Sequence, residues 1–168
     1  MGKEQELLQA VKEQDVAQIN RILSKNRNSK KLIGSTKRLN INYQDSDGMT
    51  ALHQAALVGN VDIMHLLLES AASVEVKDNK AMGPLHYACW QGKEKPVKIL
   101  LQCGASPNEG ATNGDTPFHL ACQHGHYQVI HLLLQHGGDP AVENKETKTP
   151  LDLACEFGRV KGKETTVW

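Results

Sequence analysis

The sequence predicts an all-α solenoid of helix-turn-helix repeats joined by β-hairpin-like loops, and three observations support this prediction. Four related segments, at residues 50–53, 83–86, 116–119 and 149–152, follow one another at a constant spacing of 33 positions. A glycine, an alanine and an aliphatic run recur with the same spacing, and a period of roughly 20–50 residues is typical of solenoids. Aromatic residues make up only 4% of the chain, which argues against a sandwich or barrel of aromatic strands.

The residues of each unit predict a first helix with defined ends. Thr116 is a good N-cap residue, and Pro117 fits the first helical turn. Thr149 and Pro150 repeat this pair, while Gly83 is a tolerable substitute cap. A small residue that lets neighbouring helices approach recurs as Ala55, Ala88, Ala121 and Ala154. The residue that ends the helix, where a left-handed backbone is cheap for glycine, recurs as Gly59, Gly92, Gly125 and Gly158.

A second helix follows in each unit. Its apolar face in the first regular unit is formed by Val61, Met64, Leu67 and Leu68. Gly104 and Gly137 end this helix in later units, whereas the equivalent residue is Ala71, whose left-handed backbone would cost about 1 kcal/mol. Leu67 and Leu100 each seal two stacked units, so we expect their replacement by alanine to cost about 2–5 kcal/mol.

Both ends of the chain depart from the period. Near the start, an apolar pattern in the same register precedes its counterpart by 45 positions rather than 33, and it consists of Leu7, Ala10, Val16, Ile19, Ile22 and Leu23. We therefore predict a divergent unit at residues 1–39, with a twelve-residue insertion in the first connection, around residues 24–40. Regular units follow at about 45–77, 78–110 and 111–143, then an incomplete one at 144–160 and a divergent tail at 161–168. The tail lacks the outer apolar face, so we expect fraying beyond about Gly158.

Composition excludes several classes of protein. The 168 residues carry 19 basic and 19 acidic side chains and no net charge, which gives no overall attraction to nucleic acid or anionic membrane. No apolar run approaches the roughly 20 residues that span a bilayer. The start of the chain has no apolar segment of a secretory signal, so we expect reduced cysteines in a cytosolic or nuclear chain and predict a cytoplasmic location.

The predicted insertion is the most basic segment. It holds six cations and no acid, which leaves −6 on the remainder of the chain. The cations are Lys25, Arg27, Lys30, Lys31, Lys37 and Arg38. They predict either a solvated loop or a contact with an anionic membrane surface or nucleic acid, although the segment lacks the aromatic residues that stack on bases.

No motif predicts catalysis or a cofactor. A Gly-x-Gly-x-x-Gly motif, a P-loop and a nucleophile–base–orienter set are absent, so we predict no enzyme and no small-molecule substrate. Cys122, His124 and His126 lie close in sequence but lack further zinc ligands at a suitable spacing. Asp45 and Asp47 lie in an Asp-Ser-Asp-Gly turn, which explains both residues without a calcium site.

Residues that recur every 33 positions have structural explanations. His53, His86 and His119 occupy one motif position, where we expect them to brace adjacent loops. Cys89, Cys122 and Cys155 occupy one small-residue position, and we expect them in the core between the inner helices.

The 33-residue period and the Thr-Pro-Leu-His-x-Ala motif resemble the ankyrin repeat over most of residues 40–160. The resemblance implies partner binding by a concave groove of hairpin tips and exposed ends of the inner helices. The corresponding hairpin tips are Met49, Met82, Asp115 and Lys148. The corresponding helix ends are Leu57, Val58, Trp90, Gln91, Gln123, His124, Glu156 and Phe157. Large apolar side chains at Met49, Met82, Trp90 and Phe157 either contact a partner or fold down on the neighbouring repeat.

A closer resemblance rests on four segments, residues 1–7, 32–40, 84–92 and 150–160, which are similar to the amino terminus of the caskins. It implies a non-catalytic protein-interaction module of a cytoplasmic scaffold or adaptor protein involved in signalling, with a partner protein of unknown identity. An alternative is a peripheral membrane or nucleic-acid binder that uses the insertion. The final Thr-Val-Trp, residues 166–168, also resembles a ligand of PDZ domains.

Overall fold

The computed structural model describes residues 2–29 and 38–159, which form nine α-helices and no strand. The helices are α1 (Lys3–Lys12), α2 (Val16–Ser29), α3 (Ala51–Val58), α4 (Val61–Glu69), α5 (Pro84–Gln91), α6 (Glu94–Gln102), α7 (Pro117–Gln123), α8 (Tyr127–Gln135) and α9 (Pro150–Glu156). None of these helices is long and apolar enough to cross a bilayer. The predicted all-α repeat architecture is confirmed.

The helices stack in two layers. The inner layer contains α1, α3, α5, α7 and α9, and each of these helices packs on the next one in the layer. The outer layer contains α2, α4, α6 and α8, which pack on one another in the same order and on the inner helix that precedes each of them. Leu67, Leu100 and Leu133 are completely buried at equivalent positions of α4, α6 and α8. The aliphatic run of each unit thus forms one continuous core.

The predicted helix ends are confirmed at the level of single atoms. Thr50, Thr116 and Thr149 each accept a hydrogen bond from the backbone N–H three residues on, at 3.3 Å. Gly83 keeps the same extended backbone, with φ −90° and ψ 174°, but offers no side chain to the helix. Ala71 has φ +66°, so the predicted left-handed alanine at the end of α4 is present.

The periodic histidines brace the next repeat as expected. The Nε2 atoms of His53, His86 and His119 donate to the carbonyl oxygens of Met82, Asp115 and Lys148 at 2.9, 3.0 and 2.9 Å. The Nδ1 atom of His53 accepts from the backbone N–H of Thr50 at 3.1 Å, which assigns both ring nitrogens. Burial lowers the pKa of His53 and lowers that of His86 to about 4, so both imidazoles are neutral at pH 7.

The inserted segment differs from the predicted connecting loop. Helix α2 runs to Ser29, five residues beyond Ser24, which is the counterpart of the last residue of α4. The other outer helices end at residues with a left-handed backbone, Ala71, Gly104 and Gly137. The equivalent residue after α2 is Asn26, which does not have a left-handed backbone and whose Oδ1 accepts from the backbone N–H of Leu39 at 3.2 Å. Residues 30–37 lie outside the described part of the chain, as does the tail from residue 160 on, including the Thr-Val-Trp end.

The prediction for the periodic cysteines is wrong at one position. Cys89 and Cys122 are fully buried between inner helices, but Cys155 is exposed. Cys89 and Cys122 are covered because another inner helix packs on each side of α5 and α7. Helix α9 has α7 on one side, and no other described helix covers the side that carries Cys155.

Candidate functional site

The predicted groove residues differ in exposure. The exposed ones include Trp90, at 41% of its maximal accessible surface, and Phe157, at 46%. Gln91 and Glu156 are also exposed. The partly buried ones are Leu57, Val58, Gln123, His124 and Lys148, and the buried ones are Met49, Met82 and Asp115. We use the name groove surface for the exposed and partly buried members of this set.

Two methionines are not exposed at hairpin tips. Met49 and Met82 fold down and pack with Tyr87 in a small apolar cluster that Leu57 and Leu120 extend. The unbranched thioether side chain of methionine is flexible enough to fill such a gap between repeats. Its apolar surface is thereby removed from water. Of the two alternatives for these residues, the structure selects packing on the neighbouring repeat.

Asp115 is likewise buried rather than exposed. Its carboxylate accepts hydrogen bonds from the side-chain amides of Asn113 at 3.0 Å and Asn144 at 2.8 Å. It therefore ties the third hairpin to the fourth. Since its oxygens are engaged inside the protein, we remove Asp115, Met49 and Met82 from the candidate partner contacts.

Four aromatic rings form a continuous stack, which we call the aromatic ladder: Tyr87, Trp90, His124 and His126. Successive ring centroids lie 6.3, 6.1 and 6.0 Å apart, and the ring planes are inclined by 22–25°. Tyr87 and Trp90 are three residues apart on one side of α5, whereas His124 and His126 follow α7 in the next unit. The ladder thus crosses from one repeat to its neighbour.

The two ends of the ladder are held by polar contacts. The Tyr87 hydroxyl donates to the carboxylate of Asp78, whose other oxygen accepts from the backbone N–H groups of Lys80 and Met82 at 2.9 Å. Burial and this hydrogen bond raise the pKa of Tyr87. Nε2 of His126 donates to the carbonyl oxygen of Trp90 at 2.9 Å.

His124 in the middle of the ladder is uncharged at neutral pH. Burial lowers its pKa, and the charges of His126 and Arg159 act in the same direction. Sequence reasoning named Trp90 and His124 as separate surface residues. It missed that they stack, because a period shows which helix carries a ring and does not show its orientation.

A second feature that sequence reasoning missed joins each of the last three units to the preceding one. Lys93, His126 and Arg159 each follow a helix-ending glycine and recur with the period of the repeat. Their side chains donate to the carbonyl oxygens of Val58, Trp90 and Gln123 at 2.8, 2.9 and 3.2 Å. These carbonyls lie at the carboxyl end of an inner helix, where a basic side chain is favoured. The recurrence of a basic residue after the helix-ending glycine was the sequence signal that could have predicted these contacts.

The helix-ending glycines leave room for these basic side chains. A Cβ atom at Gly59 would lie 2.3 Å from Cδ of Lys93, and one at Gly92 would lie 2.2 Å from Nδ1 of His126. Gly104, which ends an outer helix, also has a positive φ of +90°, but a Cβ atom there would meet nothing within 4 Å. Gly92 is therefore required for both its conformation and the close approach.

These two glycines allow a matched prediction. We expect Gly104→Ala to lower the free energy of unfolding by about 1 kcal/mol, because only left-handed strain is added. We expect Gly92→Ala to cost about 1 kcal/mol more, because His126 must also give up its hydrogen bond to Trp90. Urea unfolding of both variants measures the difference, and equal losses would contradict the role of His126 as a cap.

The described basic candidates lie in different surroundings, and Lys25 lines a cavity with Lys3 and Arg21. Lys25 and Arg38 are exposed, while Arg27 lies 3.8 Å from the carboxylate of Glu69. Lys30, Lys31 and Lys37 lie outside the described residues.

The candidate metal and acid residues have structural partners. Within residues 2–29 and 38–159, no group of three or more histidine, cysteine or acidic side chains could hold a metal ion. The Asp45 carboxylate accepts from the backbone N–H groups of Asp47 and Met49 at 2.9 and 3.0 Å, so it closes its own turn.

Comparison with known proteins finds similarity to ankyrin-repeat proteins. A family model of ankyrin repeats in three copies matches residues 7–111 and 85–164. Caskin-1 of Rattus norvegicus is 56% identical over 77 residues, which cover 45% of this chain and 5% of the relative. Caskin-2 of Xenopus laevis is 57% identical over 77 residues, covering 45% and 6%. "Ankyrin repeat and sterile alpha motif domain-containing protein 1B" of Danio rerio is 39% identical over 89 residues, covering 45% and 7%.

These matches confirm the resemblance to the ankyrin region of the caskins over 45% of the chain. The chain spans only 5–7% of the length of these curated relatives. The family model, in contrast, covers nearly all the described helices. The two-layer stack, the recurring caps and this match together show that the chain belongs to the ankyrin-repeat family.

Proposed function

We propose that this protein-interaction module is a non-catalytic part of a scaffold or adaptor and binds a partner protein through the groove surface. The observation that carries the proposal is Trp90, which stays 41% exposed in the middle of the aromatic ladder. Tryptophan is enriched among the residues that dominate protein–protein binding. A partner that covers its ring would gain apolar burial at a rigid site.

The groove surface is preformed, which supports binding without rearrangement. The inner helices that carry it are fixed by the packed core and by the histidine braces. Trp90 itself contacts ring neighbours on two sides, so little side-chain freedom is lost when a partner binds. Phe157, 46% exposed at the end of α9, provides a second apolar contact on the same surface.

We expect Trp90→Ala to abolish partner binding with little effect on folding. The hydrogen bond from His126 uses the backbone carbonyl of Trp90, which alanine retains. The loss in free energy of unfolding should be about 1–2 kcal/mol for two ring contacts of a partly exposed side chain, compared with about 3–5 kcal/mol for a buried tryptophan. Chemical unfolding of the variant measures this, and a loss of several kcal/mol would make Trp90 a structural residue.

Binding is tested by proximity labelling with the intact chain, a Trp90→Ala/Phe157→Ala variant and a His131→Ala control. His131 is exposed on the outer helix α8, away from the groove surface. We expect the control to label the same proteins as the unmodified chain and the double variant to lose a subset of them. Identical protein sets for all three would show that the groove surface does not bind the partner. The cytoplasmic location stays a prediction that the same experiment addresses through the compartment of the labelled proteins.

A further inference from the structure

The basic side chains around Trp90 give the groove surface a local charge. Lys93 follows Trp90 across the end of α5, and Arg159 hydrogen-bonds to Gln123, the residue next to His124. Both side chains are exposed. We use the name basic aromatic patch for Trp90, Lys93, His124, His126 and Arg159.

The two full charges of the basic aromatic patch are not neutralised by the described residues. No carboxylate of residues 2–29 or 38–159 lies within 4.0 Å of the charged nitrogens of Lys93 or Arg159. Glu156, on the neighbouring end of α9, is held by Lys148 at 2.5 Å. The hydrogen bonds of Lys93 and Arg159 go to neutral backbone carbonyls, which leaves their positive charge available to a ligand.

Two acidic groups of the hairpins, Asp78 and Asp115, are engaged inside the protein. Asp78 is buried and binds the Tyr87 hydroxyl, and Asp115 is buried and binds two asparagine amides. The exposed carboxylates on neighbouring helix ends, Glu94 and Glu156, form no ion pair with Lys93 or Arg159. Charge complementarity then favours an anionic partner at this point.

We propose that the basic aromatic patch binds an acidic segment of the partner protein. In this arrangement an apolar side chain of the segment covers the indole of Trp90, and its Asp or Glu carboxylates face Lys93 and Arg159. The inference rests on the proposed function and adds the chemical class of the partner. Two separated cations do not form the continuous basic track that follows a nucleic-acid backbone, which favours a protein segment over single-stranded DNA or RNA.

The test is a selection from a display library of random peptides on the full-length chain, with counter-selection on Trp90→Ala. The library is neutral on average, so the net charge of the enriched peptides is an unbiased measurement. We expect the enriched pool to be acidic and to contain apolar residues between the acids. Binding of a representative synthetic peptide, followed by fluorescence anisotropy, should weaken as salt is raised from about 50 mM to about 300 mM.

Single substitutions then assign the contact to the patch. We expect Lys93→Gln and Arg159→Gln each to weaken binding of the acidic peptide about tenfold, which corresponds to about 1.4 kcal/mol. The matched control is Lys98→Gln, which removes one charge from the exposed side of α6. The control should bind like the unmodified chain, and replacing the peptide's acids by Asn and Gln should have the same effect as the two patch substitutions.

Each contrary outcome has a distinct meaning. An enriched pool that is neutral or basic overturns the acidic assignment and leaves the groove function standing. Peptide binding that survives Arg159→Gln and Lys93→Gln unchanged also overturns the assignment. A single-stranded oligonucleotide that displaces the acidic peptide with higher affinity replaces a protein partner by nucleic acid. If no peptide is enriched on the intact chain over Trp90→Ala, both this inference and the proposed groove function fail.

Discussion

Replacing Leu67 by alanine is expected to lower the free energy of unfolding by about 2–5 kcal/mol. The side chain is completely buried in α4, which packs on α2 before it and on α6 after it. Removing its outer methyl groups leaves a void that two flanking units would have to close. Because the stability of a repeat stack depends on the interfaces between neighbouring units, weakening one interface also destabilises the units on either side of it.

Leu66→Ala is the matched control for this prediction. Leu66 is the preceding residue of the same helix, so the change in helix propensity is identical, but its side chain is only partly buried. Urea unfolding followed by circular dichroism gives both free energies. Similar losses for the two variants would mean that the core between the units does not depend on Leu67.

The second large effect is a loss of stability in mild acid. Burial lowers the pKa of His86 to about 4 in the folded chain, whereas an unfolded histidine titrates near 6.5. Between these values the unfolded chain binds a proton that the folded chain does not, so stability falls as the pH falls. For His86 alone we expect a loss of about 2 kcal/mol between pH 7.5 and pH 5. His53, whose pKa is also lowered by burial, adds to this loss.

This effect is measured by urea unfolding at several pH values between 5 and 7.5, where carboxylates remain ionised. His86→Gln removes the titrating ring and replaces it by a neutral side chain whose amide N–H is also a hydrogen-bond donor. The variant should be less stable at pH 7.5 and should depend less on pH than the unmodified chain. The control is His131→Gln on the outer surface, whose pH dependence should match the unmodified chain. An unchanged slope in His86→Gln would contradict the explanation.

The repeat geometry was predictable because it is set by local backbone chemistry. The N-cap threonines, the left-handed Ala71 and the histidine braces all follow from residue types at fixed spacing. The length of α2 could not be predicted in this way, because Ala71 ends α4 without a glycine and the residue type at Asn26 therefore does not show whether the helix continues.

Side-chain orientation limited the prediction of the groove surface. The period places Met49 and Trp90 on the same side of the stack, but the flexible thioether folds into a gap and the rigid indole stays partly exposed. The ladder contact between Trp90 and His124 depends on two repeats at once, which no single segment encodes. The burial of Cys122 and the exposure of Cys155 differ only because a further helix packs beyond α7.

Neighbouring regular units are joined by two hydrogen bonds that run in opposite directions, and these bonds limit how the chain can gain or lose residues. At three successive junctions a histidine reaches forward to a hairpin carbonyl, and a basic residue reaches back to a helix carbonyl. These three junctions close by the same chemistry, so the regular units present interchangeable front and back surfaces. Duplicating or deleting one complete regular unit would therefore recreate a working junction, whereas a length change between the histidine and the basic residue of one unit would displace one of the two contacts.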